Sequence, residues 1–219
     1  MSLLRKHVRF DWAAKNMLRD KKNFGILEGF LSELLKEDIK IEGILESESN
    51  QETESSKFNR VDAFAENSKG ELIIIEVQNT REWDYLLRML FATSKAITEH
   101  IEVGEGYANV KKVIAVSIVY FELGQGDDYI YVGQTRFRGM HTHSELQLTD
   151  EQKQFLGKVS VHEAYPEYYL IRTTKFQDVI NDTLDEWIYF FQAQRSVGRV
   201  PYKGMDSAAE IGRDEHAQG

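Results

Sequence analysis

The sequence predicts an α/β fold, and three observations predict it. Two runs, Leu72-Ile-Ile-Ile75 and Val113 to Val119, are almost continuously apolar. Such runs fit strands covered on both faces. Between them, Trp83, Leu86, Leu87, Leu90, Phe91, Ile97 and Ile101 recur at helical spacing and predict a helix over residues 83–102. Strand, helix, strand at this length is a crossover that permits parallel pairing.

The other elements follow in order. Phe24, Leu27, Leu31, Leu34 and Leu35 predict an amphipathic helix over residues 23–36, with Glu28 on the edge of its apolar stripe. On spacing alone Glu28 reads as a boundary residue that reaches water. Ile39, Ile41, Ile44 and Leu45 alternate weakly and predict a strand over 39–47. Residues 46–56 are polar and acidic with no apolar anchor, hence a loop. Residues 57–65 and 71–78 read as two strands joined by the turn Asn67-Ser-Lys-Gly70. Gly124-Gln-Gly-Asp-Asp128 breaks the chain before a strand from Tyr129 to Arg136. Ile180, Leu184, Trp187, Ile188 and Phe191 predict a closing helix over 178–194. One domain over residues 1–195 and a weakly ordered tail over 196–219 are expected.

Composition narrows the function classes. At 42% hydrophobic and 29% charged, the chain suits a water-soluble core rather than a disordered one. It has no cysteine, which excludes disulfides and thiolate metal sites and agrees with a cytoplasmic location. No run approaches the roughly 18 apolar residues of a transmembrane helix, so no membrane partner is expected. Net charge is −9, but residues 1–22 hold seven Lys/Arg against two Asp. That segment is therefore +5 and the remainder −14, so a local basic patch can still meet phosphates. Gly124-x-Gly126 lacks a following Lys-Ser/Thr and a helix start, which excludes a nucleotide loop. His141-Thr-His143 has no third ligand with a clear claim and reads as loop.

The chemistry concentrates in the hairpin. Paired antiparallel about residues 67–70, the strands set Asp62 nearly opposite Glu76, with Cβ atoms roughly 4.5–5.5 Å apart. Two carboxylates that close repel unless they share a cation. Mg²⁺ takes oxygen ligands and uses one or two carboxylates plus phosphate. Gln78 falls on the same face by period two. Arg81, Arg88 and Lys95 are spaced by seven and share one side if Arg81 is helical. That row can hold a phosphate backbone, or it is a solvated face paired with Glu82 and Glu99.

Asp62 followed by Glu76-x-Gln78 at the end of an apolar strand resembles the PD-(D/E)XK nuclease superfamily. The likeness is nearest to its nuclease-family transposases, the recombination-promoting nucleases. It covers most of residues 8–192, from Phe10-Asp-Trp-Ala-Ala-Lys15 and Phe24-Gly-Ile-Leu-Glu28 through Arg88 and Arg136-Phe-Arg138 to Leu184-Asp-Glu-Trp187. The resemblance implies a restriction-endonuclease-like mixed sheet flanked by helices. It implies Asp62, Glu76 and Glu28 as ligands of Mg²⁺, with Mn²⁺ as a substitute. The last motif position, often lysine, places the attacking water, and here it is Gln78. Val61 stands where the pattern has proline. The implied activity is metal-dependent hydrolysis of DNA phosphodiester bonds, with a role in recombination and with a homodimer left open. The alternative is a degenerate relative that binds nucleic acid or a protein without cutting.

Overall fold

The computed structural model describes residues 23–44, 62–101, 104–177 and 179–193. The basic segment 1–22, the acidic loop 46–56, residues 57–61 and the tail 196–219 lie outside the described residues. In chain order the elements are α1 (Phe24–Leu35), β1 (Ile41–Ile44), β2 (Ala63–Asn67), β3 (Leu72–Gln78), α2 (Tyr85–Glu99), β4 (Val113–Val119), β5 (Ile130–Gly133), α3 (Asp150–Leu156), β6 (Glu167–Arg172) and α4 (Thr183–Ala193). No described helix is long and apolar enough to cross a membrane.

The chain divides into two compact units, residues 1–41 with 176–219, and residues 42–175. In the first, α1 buries Leu27, Phe30, Leu31 and Leu34. Phe30 packs edge-on against Phe191 of α4, with ring centroids 4.9 Å apart, and tilted against Trp187 at 5.9 Å. Helix α1 stops where Lys36 turns into the left-handed region at φ 56°.

The second unit is built on a six-stranded mixed sheet in the order β1-β2-β3-β4-β6-β5. The predicted hairpin is present, with β2 antiparallel to β3 in the register Ala63↔Ile75 to Glu66↔Leu72. Its turn is held by the Asn67 side chain, whose Oδ1 accepts from the N–H groups of Lys69 and Glu71 at 3.1 and 2.9 Å. Gly70 sits at φ 74°, a backbone shape that favours glycine. The predicted crossover is also present, since β3 and β4 run parallel. Six of the seven β3 residues and all seven of β4 are buried, as uniform apolar runs require.

Helix α2 differs from the expectation in extent and in the face it buries. It spans 85–99, so Trp83 precedes it and is exposed. Tyr85, Met89, Thr93 and Ala96 face inward, while Leu86, Leu87, Leu90 and Phe91 are exposed. The inner face carries small residues, Thr93 and Ala96, which let the helix sit close on the sheet. Ala96 packs with Phe64, Leu72, Ile74 and Val113, and Tyr85 and Met89 pack with Val119 and Phe121. The larger side chains remain outside. Leu86 and Leu90, with Tyr131, Tyr168 and Leu170, line an apolar groove beside the edge strand β5.

Two elements carried no prediction. Strand β6 pairs parallel to β4 and antiparallel to β5. Helix α3 buries nothing and is defined by its ends. Thr149 accepts from the Gln152 N–H at 3.2 Å, Gln152 accepts from the Thr149 N–H at 3.0 Å, and Gly157 closes the helix at φ 63°. With no buried face to compensate, Thr149→Ala is expected to weaken α3 by about 1 kcal/mol. Amide hydrogen exchange across residues 150–156 should then run roughly fivefold faster than in the parent. Unchanged exchange would mean that the cap does not hold the helix.

Strand β6 ends in Arg172, which is 1% exposed. Its guanidinium donates to the carbonyl oxygens of Leu123, Gly124, Gly126 and Asp128. It also lies over the Tyr131 ring, 4.9 Å from the centroid. A buried cation spread over four carbonyls ties the 123–128 loop to the sheet.

Candidate active site

Leu72, Ile74, Glu76 and Gln78 alternate with their neighbours and so share one face of β3. That is the face α2 covers, because Leu72 and Ile74 pack on Ala96 near the helix C-terminus. The chain leaves β3 at Gln78 and reverses, so the first turns of α2 return over Glu76. Tyr85 and Arg88 come from those turns, and Ser117 of β4 sits in register beside Glu76.

Carried one step further, the β2–β3 register sets Asp62 opposite Glu76. Asp62 bends off that ladder instead. Its N–H donates to the Ile75 carbonyl oxygen at 3.0 Å. Its Oδ2 accepts from the Val77 N–H at 2.7 Å, filling the place of a ladder carbonyl beyond the last registered pair. Asp62 is thus buried, at 6% exposure, with one oxygen fixed on the backbone beside Glu76.

Glu76 is 4% exposed and forms an ion pair with Arg88. The contact brings charge to Oε1 without an aligned N–H, so that buried oxygen receives no well-directed hydrogen bond. Burial pushes the Glu76 pKa up to about 6. Arg88 opposes the shift, while the charges of Asp62 and Glu82 add to it. Arg88 is itself forked. Its Nη1 donates to both oxygens of Glu82, at 2.9 and 3.1 Å. Burial works against its charge, but Glu76 and then Glu82 outweigh that and raise its pKa.

Glu82 also fixes Gln78. The Gln78 Nε2 donates to Glu82 Oε1 at 2.7 Å and to the Thr80 carbonyl oxygen at 3.2 Å. Both neighbours are pure acceptors, so the amide must face them with its NH₂ and turn Oε1 away. Tyr85 is fully buried above Ser117, yet no aligned hydrogen bond reaches its hydroxyl. Burial, and then the Glu76 charge, hold its pKa well above the usual phenol range.

The structure therefore brings together Asp62, Glu76, Gln78 and Arg88. Lys95 lies two turns further along α2 and pairs with Glu99 at 3.3 Å. Arg81 precedes the helix, so the sevenfold row expected of Arg81, Arg88 and Lys95 does not include it. Arg81 is exposed and stacks on Trp83 at 5.3 Å. Glu28, in the other unit, accepts from the Ile41 N–H at 2.8 Å and lies 3.7 Å from Lys40 Nζ. Arg136 and Arg138 serve the 134–145 loop, through Gln134 at 3.0 Å and the His143 carbonyl at 3.1 Å. His141 and His143 stay in an exposed loop. Among the described residues no three His, Cys, Asp or Glu converge as a metal-binding group.

Three residues of this cluster escaped the motif. Ser117 is the one hydroxyl in the apolar run Val113–Val119, which is a usable signal. Glu82 was legible only as a partner of the arginine row. Tyr85 carries no signal, because its neighbours Trp83 and Leu86 dominate the periodicity. No curated protein matches the chain, and no solved structure does. The family model of the PD-(D/E)XK nuclease family transposases matches residues 8–206. With the mixed α/β sheet and the carboxylate hairpin in place, the chain belongs to the PD-(D/E)XK nuclease family transposases.

Proposed function

We propose that the protein is a metal-dependent DNA endonuclease that hydrolyses phosphodiester bonds, with Asp62 and Glu76 as the ligands of Mg²⁺ or Mn²⁺. The observation that carries this reading is the pair of buried carboxylates, with Asp62 fixed on the Val77 N–H beside Glu76 and the Arg88 guanidinium set against Glu76 Oε1, where a cation belongs. An all-oxygen donor pair suits a hard cation that keeps several waters, so the residues fit the group. When bound, the cation supplies Lewis acidity, lowering the pKa of its water and offsetting charge on the scissile phosphate. Gln78 presents Oε1 as an acceptor and orients the attacking water; it neither donates a proton nor carries charge. Arg88 meets the phosphate, with Lys95 and Arg81 as further contacts to the DNA backbone. Glu28 is kept as a third carboxylate on the family's pattern alone. The Arg88–Glu76 pair favours one second reading, a relative whose site is neutralised internally and which binds without cutting.

Supercoiled plasmid incubated with Mg²⁺ or Mn²⁺ separates the two. The nuclease reading expects metal-dependent nicking that Glu76→Gln removes. Nicking that survives in Glu76→Gln sinks the site, and none under either metal favours the binding protein. A parallel incubation with RNA decides the substrate.

The Glu82 contact makes a second expectation. Gln78→Glu sets a carboxylate against Glu82 and removes the amide hydrogen bond, so cleavage should fall about tenfold or more, the scale of outer-shell changes at metal sites. Adding Glu82→Gln removes the like-charge repulsion and reverses donor and acceptor, but it also frees Arg88 from its anchor, so part of the lost rate should return when Mg²⁺ is saturating. No recovery at saturating Mg²⁺ in the double variant would show that Glu82 does not hold Gln78 during turnover.

A further inference from the structure

We propose that Arg88 is the resident cation of the carboxylate site, and that Glu82 is the positioning residue that retains Arg88 when a divalent cation takes its place on Glu76. This rests on the assignment of Asp62 and Glu76 as metal ligands.

Two buried carboxylates need a positive charge beside them at all times, not only when metal is present. Arg88 supplies it, and the geometry shows how it can also give way. One guanidinium nitrogen faces Glu76, and the other is held across both oxygens of Glu82. A planar fork holds its two terminal nitrogens at separate fixed positions, so one can leave Glu76 while the other stays on Glu82. Glu82 is only half-buried, so it holds the retained arm at low desolvation cost. Glu82 is tied in turn to Gln78, so the same carboxylate fixes the two side chains that flank the reacting phosphate. On metal entry the freed arm of Arg88 faces the site rather than bulk water. Release from Glu76 thereby converts a counter-ion into a phosphate contact. Arg88 and the metal compete for one oxygen, and Glu82 sets the balance.

The test is divalent-cation affinity, measured calorimetrically with Mn²⁺ on the full chain without DNA. Arg88→Met removes the competitor and is expected to tighten binding about tenfold, within the usual span of coupled sites. Glu82→Gln leaves Arg88 anchored to Glu76 alone and is expected to weaken binding several-fold. In the Arg88→Met background, Glu82→Gln should have almost no further effect, because Glu82 acts through Arg88. A merely structural pair would shift the unfolding midpoint and leave all three affinities equal, which overturns the inference. Weaker binding in Arg88→Met overturns it as well. If Arg88→Met does not fold, Arg88→Lys carries the test, since it keeps the charge and loses the fork; unchanged affinity there counts against the proposal. Glu76→Gln distinguishes the two levels. Mn²⁺ binding that survives in Glu76→Gln defeats the underlying site assignment, whereas binding that depends on Glu76 but ignores Arg88 and Glu82 defeats only this inference.

Discussion

Asp62→Asn is expected to lower metal-dependent cleavage by about 10²–10³-fold, the scale of losing a group that stabilises transition-state charge, while leaving the fold nearly unchanged. The choice of asparagine follows from the Val77 contact. The Asp62 carboxylate has two jobs, a charge toward the Glu76 side and an acceptor for a buried N–H at 2.7 Å. Asparagine keeps the acceptor and removes the charge. Alanine removes both, and leaving the Val77 N–H unpaired costs about 1–3 kcal/mol. Asp62→Ala should therefore lose activity and also unfold at lower denaturant. The two variants together separate chemistry from stability. Equal stability losses in both would mean that the Val77 bond is not what Asp62 supplies to the fold.

Glu76→Gln is expected to change the pH dependence of stability in metal-free protein. Burial holds the Glu76 pKa at about 6, against an ordinary value of 4.5. A carboxyl raised in the folded state is carried without penalty below its unfolded pKa. It costs stability as pH rises through 4.5 toward 6, and the full cost stands above that. The shift corresponds to about 2 kcal/mol. With EDTA present, the parent should therefore lose about 2 kcal/mol relative to Glu76→Gln between pH 4 and pH 8. Chemical denaturation of both proteins across that range reads the difference directly. A gap that stays constant would place Glu76 in polar surroundings and remove the electrostatic reason for a cation there. The loss is also expected to shrink when Mn²⁺ is added, because binding to the folded state alone stabilises it.

Much of this architecture is legible in the sequence where one physical cause dominates. Strands β3 and β4 are uniform apolar runs, and only strands buried on both faces need them. The hairpin turn rests on Asn67 and Gly70, whose chemistry is local. The carboxylates were found because acidic residues ending an apolar strand demand an explanation. Three features escaped for equally physical reasons. The face that α2 buries is not the one its periodicity indicates, because large side chains dominate a periodicity, whereas the sheet selects the smaller Thr93 and Ala96. Strand β6 alternates between buried and half-buried positions, and its aromatic residues suit several environments. The bend at Asp62 depends on a side chain replacing a ladder carbonyl, which no spacing rule encodes. Glu82 shows the same limit. Its two partners, Gln78 and Arg88, come together only because α2 folds back over β3.

Supercoiled plasmid nicking by the parent and Asp62→Asn, side by side in Mg²⁺ and in EDTA, tests the central claim most directly. The account predicts nicked circles from the parent in Mg²⁺ only, and none from Asp62→Asn at matched thermal stability. Nicking by folded Asp62→Asn, or by the parent in EDTA, would contradict it.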